Sequence, residues 1–248
     1  MNIKTLKTHK ITNQDQDILK IIDTYIDKVE ENSILVVTSK IVSICEGRIV
    51  ATDKANKDDL VKQESEFFLD KKENKYGFSL TITQNLLIPA AGIDESNGNG
   101  YYILWPKNPQ ETANKIREHI SKKFKLKNFG VVITDSKTTP LRWGTTGVAI
   151  AHSGFYALNN YIGTKDLFGR EMRVTQTNIM DGLAAAAVVV MGEGQEQTPL
   201  ALIKDIESVK FNPNNPTKGE LEHLHITLEE DIYASILKRA PWKPGDKK

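Results

Sequence analysis

Cysteine is nearly absent from the chain, Cys45 being the one residue of its kind. A lone thiol excludes an intramolecular disulfide and a zinc site built from cysteine thiolates, and it accords with a reducing cytosol. Neither sign of charge dominates, with 33 basic against 32 acidic residues, so no basic surplus points to nucleic acid or to an anionic membrane. No window approaches eighteen consecutive apolar residues, which leaves no membrane-spanning helix. The opening Met1-Asn-Ile-Lys-Thr-Leu-Lys lacks the apolar core of a signal peptide. Recognisable catalytic signatures are missing too: no HxxxH pair, no GxxxxGK[ST] phosphate loop, no GxGxxG after a strand and no GxSxG elbow. His152 sits beside small residues, away from any other histidine. What remains is the expectation of a cytoplasmic globular protein, with 248 residues ample for one large domain or two intertwined small ones.

Against these absences one stretch stands out, Phe129 to Gly154. The β-branched run Val131 to Ile133 stops at Thr134-Asp135-Ser136; a polar loop with Arg142 follows, and a second apolar run starts at Gly147. A carboxylate and a hydroxyl at the mouth of a buried strand are a usual place for chemistry in an α/β-type protein, although Asp135 also suits a plain turn cap. A second segment, Ala91-Gly-Ile-Asp94-Glu-Ser-Asn97, repeats the plan of apolar run, acid and polar loop.

Elsewhere the apolar spacing over Asp15–Val29 predicts a helix, and Ile34–Val37 a buried strand. Ser39-Lys40 after that strand reads either as a phosphate cradle or as a solvated turn between two strands. Lys54–Lys72 predicts a charged surface helix, Tyr76–Pro89 a strand, a turn and a strand, and Tyr101–Trp105 another strand. Asn108-Pro109 opens a helix to about Phe124. The glycines and mixed charges of Tyr161–Val174, Lys165 among them, read as a functional loop or a surface connection. Asn178–Val190 predicts an alanine-rich helix stopped at Gly192, and Leu200–Ile203 a short strand. The tail predicts a helix over Leu228–Arg239 and then an unstructured Pro/Gly/Lys end. Asp94 and Asp135, with Ser136 and Asn97 beside them, form an oxygen-rich set suited to a hard divalent cation and phosphate. For a nucleotide cradle, Ser39-Lys40 and Gly192-Glu-Gly194 are the candidates.

Taken in order, VVTSKIVSICEGRIV (Val36–Val50), AGIDESN (Ala91–Asn97), GVVITDS (Gly130–Ser136), RWGTTGVAIAHSG (Arg142–Gly154), YIGTKDLFGREMRVT (Tyr161–Thr175) and DGLAAAAVVVMGEG (Asp181–Gly194) resemble the coenzyme F420-0:γ-glutamyl ligase family. The resemblance implies an α+β fold with two interleaved subdomains, the whole of 1–248 forming one unit with a subdomain around 90–170 inserted. It implies a homodimer, and an enzyme that uses GTP and Mg²⁺ or Mn²⁺, with K⁺ as a further cation, to join L-glutamate by an amide bond to an acceptor carboxylate. Asp94, Asp135 and Ser136 would hold metal; Ser39, Lys40, Asn97, Met191, Gly192 and Glu193 would hold the nucleotide. Arg142 and Lys165 are assigned to an anionic substrate group.

The sequence also departs from the family. Asp135 is followed by Ser-Lys-Thr-Thr139 where the family has a DTxGR-like loop, Ile44 replaces a lysine, and Gly182 replaces an acid. A Leu-Pro-Leu-like segment is reduced to Lys10-Ile-Thr. These changes bear on acceptor recognition, so F420-0 and a tetrahydrofolate both stand as acceptors. A non-catalytic nucleotide- or pterin-binding member and a metal-dependent phosphohydrolase are the rival readings.

Overall fold

A computed structural model describes residues 1–247. In chain order the elements are β1 (Asn2–Leu6), α1 (Ile18–Tyr25), β2 (Ser33–Thr38), α2 (Ser39–Cys45), β3 (Ile49–Ala51), α3 (Lys57–Glu64), β4 (Phe67–Phe68), β5 (Leu80–Thr83), β6 (Leu86–Pro89) and β7 (Tyr101–Ile103). They continue as α4 (Pro109–Phe124), β8 (Phe129–Thr138), β9 (Thr145–Ser153), β10 (Leu158–Asn160), β11 (Gln176–Asn178), α5 (Ile179–Met191), β12 (Leu200–Lys204), α6 (Lys218–Glu222), α7 (Ala234–Leu237) and β13 (Lys243–Pro244). Helices and mixed sheets together make the α+β class that the sequence implies.

The main sheet has the order β1-β12-β2-β8-β9, with β2 and β8 parallel and the other neighbours antiparallel. Its central strands are covered on both faces, which is why Ile34–Val37 reads as an unbroken apolar run. Leu35, Val37, Val131 and Ile133 face a layer that includes Ile22 and Ile26, Ile41 and Val42 of α2, and Ile116 and Ile120 of α4. Ile34, Val36, Val132 and Ile203 face Leu183, Ala184 and Ala187 of α5. The alanines let α5 lie close: a Cβ on Gly147 of β9 would sit 2.4 Å from the Ala184 carbonyl oxygen. A second sheet, β13-β4-β5-β6, and the pair β3-β7 stand to one side. There Leu60, Val61, Ala90, Ala91, Ile93 and Leu104 form their own small core.

Several sequence expectations shift. The first helix is only Ile18–Tyr25, capped by Asp17, whose side chain accepts from the Leu19 and Lys20 amides. Lys54–Lys72 divides into α3 and the strand β4, because the backbone of Glu66 to Leu69 pairs with β5. Ser39-Lys40 starts a helix and is not a turn between strands. The region of Leu228–Arg239 yields only the single turn of α7. The expected unstructured end instead supplies β13, which pairs with β4 and brings the Gly245 amide to the Glu66 carbonyl at 2.9 Å. Finally, β8 does not stop at Ile133. Pairing with β9 carries it on to Thr138 past an irregularity at Ile133/Thr134, so the polar run Asp135–Thr138 is strand and not loop.

Candidate functional site

In the parallel register Thr38, the last residue of β2, pairs with Thr134 of β8. Asp135 is therefore the first residue of β8 beyond the end of its parallel partner. The carboxyl edge of a parallel pair leaves a crevice where the next elements turn away. Here α2 begins at once with Ser39, which is buried, followed by Lys40.

The Asp94 segment reaches this crevice from the second core. After β6 the chain makes a left-handed turn with Ala90, Ala91 and Gly92 at φ 51°, 52° and 71°. Two non-glycine residues in that region carry strain, and the buried Thr81 hydroxyl steadies the turn by accepting from the Ala91 amide at 3.1 Å. Gly92 is constrained further: a Cβ there would meet the Trp105 indole nitrogen at 2.1 Å. The absent side chain leaves room for the buried Trp105, whose Nε1–H donates to Oδ2 of Asp135.

Lys40 and the two acids form one electrostatic unit. Lys40 Nζ lies 2.6 Å from Asp94 Oδ2 and donates to the Ser96 carbonyl at 3.0 Å. Asp94 Oδ1 accepts from the Ser96 amide and hydroxyl at 2.8 and 2.9 Å. Burial works to raise the Asp94 pKa, but the charge and hydrogen bond of Lys40, joined by Ser96, hold it below the usual carboxylate value. Asp135 goes the other way. Burial, aided by the nearby Asp94 charge, pushes it up to about 6 despite hydrogen bonds from Trp105 and the Ser136 amide.

Opposite them, α5 ends at Met191 with Gly192 at φ 79°, and the turn Gly192–Gly194 faces the acids. The Ser136 hydroxyl is 3.4 Å from Glu193 Oε2, and the Asn97 amide donates to the Gly194 carbonyl at 2.9 Å. Lys40, Asp94, Asn97, Asp135, Ser136 and the Met191–Glu193 turn thus line one cavity of about 150 Å³. A wider groove of about 580 Å³ adjoins it, sharing Lys40, Asn97 and Gly194 and extending along Thr8–Thr12. Arg142 and Lys165 lie elsewhere: Arg142 is exposed on the loop joining β8 to β9, and Lys165 on the long excursion between β10 and β11. Neither lines the cavity or the groove.

Among the described residues no cluster of three or more His, Cys, Asp or Glu side chains stands ready to chelate an ion. Two carboxylates and the Ser136 hydroxyl nevertheless suit a hard cation that takes its other ligands from phosphate and water. A half-buried acid with a raised pKa beside a second acid is a place where added positive charge is favourable. Sequence reasoning missed Trp105, since nothing local marks a tryptophan thirty residues upstream as a partner of Asp135. It also passed over Thr8–Thr12, visible only as the Lys10-Ile-Thr departure.

Comparison with known proteins identifies the family. The family model described as F420-0:Gamma-glutamyl ligase matches residues 5–205. Coenzyme F420:L-glutamate ligase of Methanocaldococcus jannaschii is 39% identical over 225 residues, covering 89% of this chain and 85% of the relative. The proteins of the same name from Methanococcus maripaludis (strain C7) and Archaeoglobus fulgidus are 38% and 32% identical, covering 89% and 91% of this chain and 86% and 93% of their own lengths. With a match that runs through both acid segments and the α5 turn, the chain belongs to the F420-0:γ-glutamyl ligase family.

Proposed function

We propose that the protein is a GTP- and metal-dependent γ-glutamyl ligase that joins L-glutamate to the carboxylate of coenzyme F420-0. The observation that carries this reading is the meeting of Asp94, Asp135, Lys40 and the Gly192–Gly194 turn at one small cavity that opens into a nucleotide-sized groove. The groove suits the base and sugar, and the small cavity the phosphates, with Lys40 and backbone amides of the glycine turn as anion-binding groups. Asp94, Asp135 and Ser136 would hold Mg²⁺ or Mn²⁺, which supplies neutralisation of phosphate charge when bound.

An unactivated carboxylate does not acylate an amine, so an oxygen of the acceptor carboxylate attacks the γ-phosphorus and GDP leaves. The glutamate amine then attacks the carbonyl carbon of the acyl phosphate, phosphate departs, and the nitrogen loses a proton to give the amide. In this scheme Lys40 changes role: it is paired with Asp94 before nucleotide arrives and turns to phosphate afterwards. Arg142 and Lys165 remain proposals for binding an anionic substrate group, and alanine variants with unchanged kinetics would remove them.

Phosphate release with GTP, L-glutamate and Mg²⁺ or Mn²⁺, with and without K⁺, tests the reading, with F420-0, tetrahydrofolate and no acceptor in parallel and mass spectrometry of the products. A product heavier by one glutamyl residue, with release dependent on F420-0 and glutamate, is the expected result. Tetrahydrofolate alone as substrate would move the acceptor to folate. Release without glutamate would make the protein a phosphohydrolase, and GTP binding without release a non-catalytic member.

We also propose a homodimer. Leu141 and Trp143 on the β8–β9 loop, and Leu167 and Phe168 on the β10–β11 excursion, are each at least 89% exposed. Four large apolar side chains on two projecting hairpins are an unusual thing to leave in water, and a second copy covers them.

A further inference from the structure

On the far side of β9 lies a larger cavity, of about 730 Å³, which the scheme above does not use. We propose that it receives the flat heteroaromatic end of the acceptor; this inference rests on the ligase reading and names where that substrate's ring is held. β9 is an edge strand, and its outward backbone is covered by side chains and not by another strand. Gln110 Nε2, on α4, donates to the His152 carbonyl at 2.7 Å and to Asn114 Oδ1 at 3.1 Å. Those two bonds fix both carboxamides. Gln110 Oε1 and Asn114 Nδ2 are left without a protein partner among the described residues, an acceptor and a donor held by rigid helix. That is the complement of the alternating N–H and C=O edge of a deazaflavin or pterin ring.

Around this polar pair the walls are suited to the faces of a ring. Met180 comes from the first turn of α5 and Leu221 and Leu224 from the α6 region. The buried His152, 2% exposed, also lines the cavity, and its Nδ1 finds no hydrogen-bond partner among the described residues. Apolar side chains such as Leu86, Ile150, Leu158 and Met180 share the cavity with polar and charged ones such as Lys107, Glu111 and Asp181, so a ring with apolar faces and polar edges finds both kinds of partner there.

Placement fits as well. Val188 of α5 lines the phosphate cavity and Asp181, seven residues earlier on the same helix, lines the large one. Seven residues of α-helix span about 10 Å. An acceptor whose ring and carboxylate are separated by a flexible chain bridges that interval, its carboxylate at the γ-phosphate and its ring beside α4 and α6.

Leu224→Arg and Asn114→Leu test this, because both side chains are only partly buried, so both variants should fold with unchanged melting. The expected result is a rise in the KM for F420-0 of tenfold or more, with the KM for GTP within twofold of the parent. Calorimetric titration with F420-0 alone should show the same loss of affinity. Parent-like acceptor KM in both variants of an active enzyme would overturn the inference and leave the ligase reading intact. If the parent forms no product but binds F420-0, and the variants lose that binding, the ligase reading fails and the pocket stands. If the parent neither reacts with nor binds F420-0 or tetrahydrofolate, both fall.

Discussion

Asp135 shows how burying a carboxyl costs stability. Its carboxyl is held near pKa 6 by burial, against about 3.9 in an unfolded chain. A carboxyl with a raised folded pKa is most favourable to the fold when protonated. Its penalty grows as pH rises from about 4 to about 6 and is complete above that. His152 has the opposite sense. Burial lowers it to about 4, so it stays neutral in the fold while the unfolded chain takes up a proton, and stability drains away as pH falls from about 6.5 toward 4. Between pH 4 and 6 the two slopes oppose. Asp135→Asn keeps an acceptor for Trp105 and removes the first slope. The variant should be more stable than the parent at pH 7.5 by about 1–2 kcal/mol, a full two-unit shift discounted for the partial exposure of the group. Its stability should then fall more steeply than the parent's on acidification, and its ligase activity should be lost. Urea titrations from pH 4.5 to 7.5 read the first two and product formation reads the third, and a variant no more stable than the parent at pH 7.5 contradicts the assignment. In the parent, binding of Mn²⁺ should weaken below pH 6, where protons compete for Asp135.

At the scale of elements, the turn after β6 is the piece on which the site depends. Ala90-Ala91-Gly92 reverses the chain so that Asp94 meets the end of β8, and Gly92 makes the space for Trp105. Gly92→Ala places a methyl group inside the indole and at a φ that disfavours a side chain. Displacing Trp105 should cost about 2–3 kcal/mol and free the Asp135 carboxylate, lowering activity at least tenfold. Denaturant unfolding with parallel activity assays would show it; unchanged stability would mean that the indole is not held where it is described. Ala91→Gly, which relieves strain at φ 52°, should by contrast be neutral or stabilising.

Across the whole molecule, no described helix is long and apolar enough to cross a membrane, and the four most exposed large apolar side chains, Leu141, Trp143, Leu167 and Phe168, lie on the β8–β9 and β10–β11 hairpins. Leu167→Asp with Phe168→Asp should convert a dimer to a monomer in sedimentation equilibrium without loss of fold, since both side chains are at least 95% exposed. A parent protein that sediments as a monomer would remove the dimer proposal. The C-terminal stretch matters at this scale too. It crosses from β12 past the large cavity and returns as β13 to pair with β4. Arg117, only 8% exposed, pins it by donating to the Pro213 carbonyl at 2.9 Å and to Asn215 Oδ1 at 2.6 Å.

Local patterns alone determined much of this protein. Ile34–Val37, the Asn108-Pro109 helix start, the Asn178–Val190 helix and its stop at Gly192 follow from periodicity and capping, which act between neighbours in the chain. Acids and hydroxyls at strand ends marked most of the candidates around the small cavity, and ordered blocks of residues gave the family. Only the tertiary structure decided what depends on long-range pairing. Asp135 reads as the end of a strand, yet β9 extends that strand to Thr138 while the shorter β2 leaves the acid at an open edge. The tail looks unstructured because Pro, Gly and Lys carry no apolar pattern, but backbone pairing with β4 needs none. Trp105 and Asp135 are thirty residues apart, and no spacing rule joins them. Their contact, and the separation of Arg142 and Lys165 from the cavity, exist only once the sheet has fixed where each strand ends.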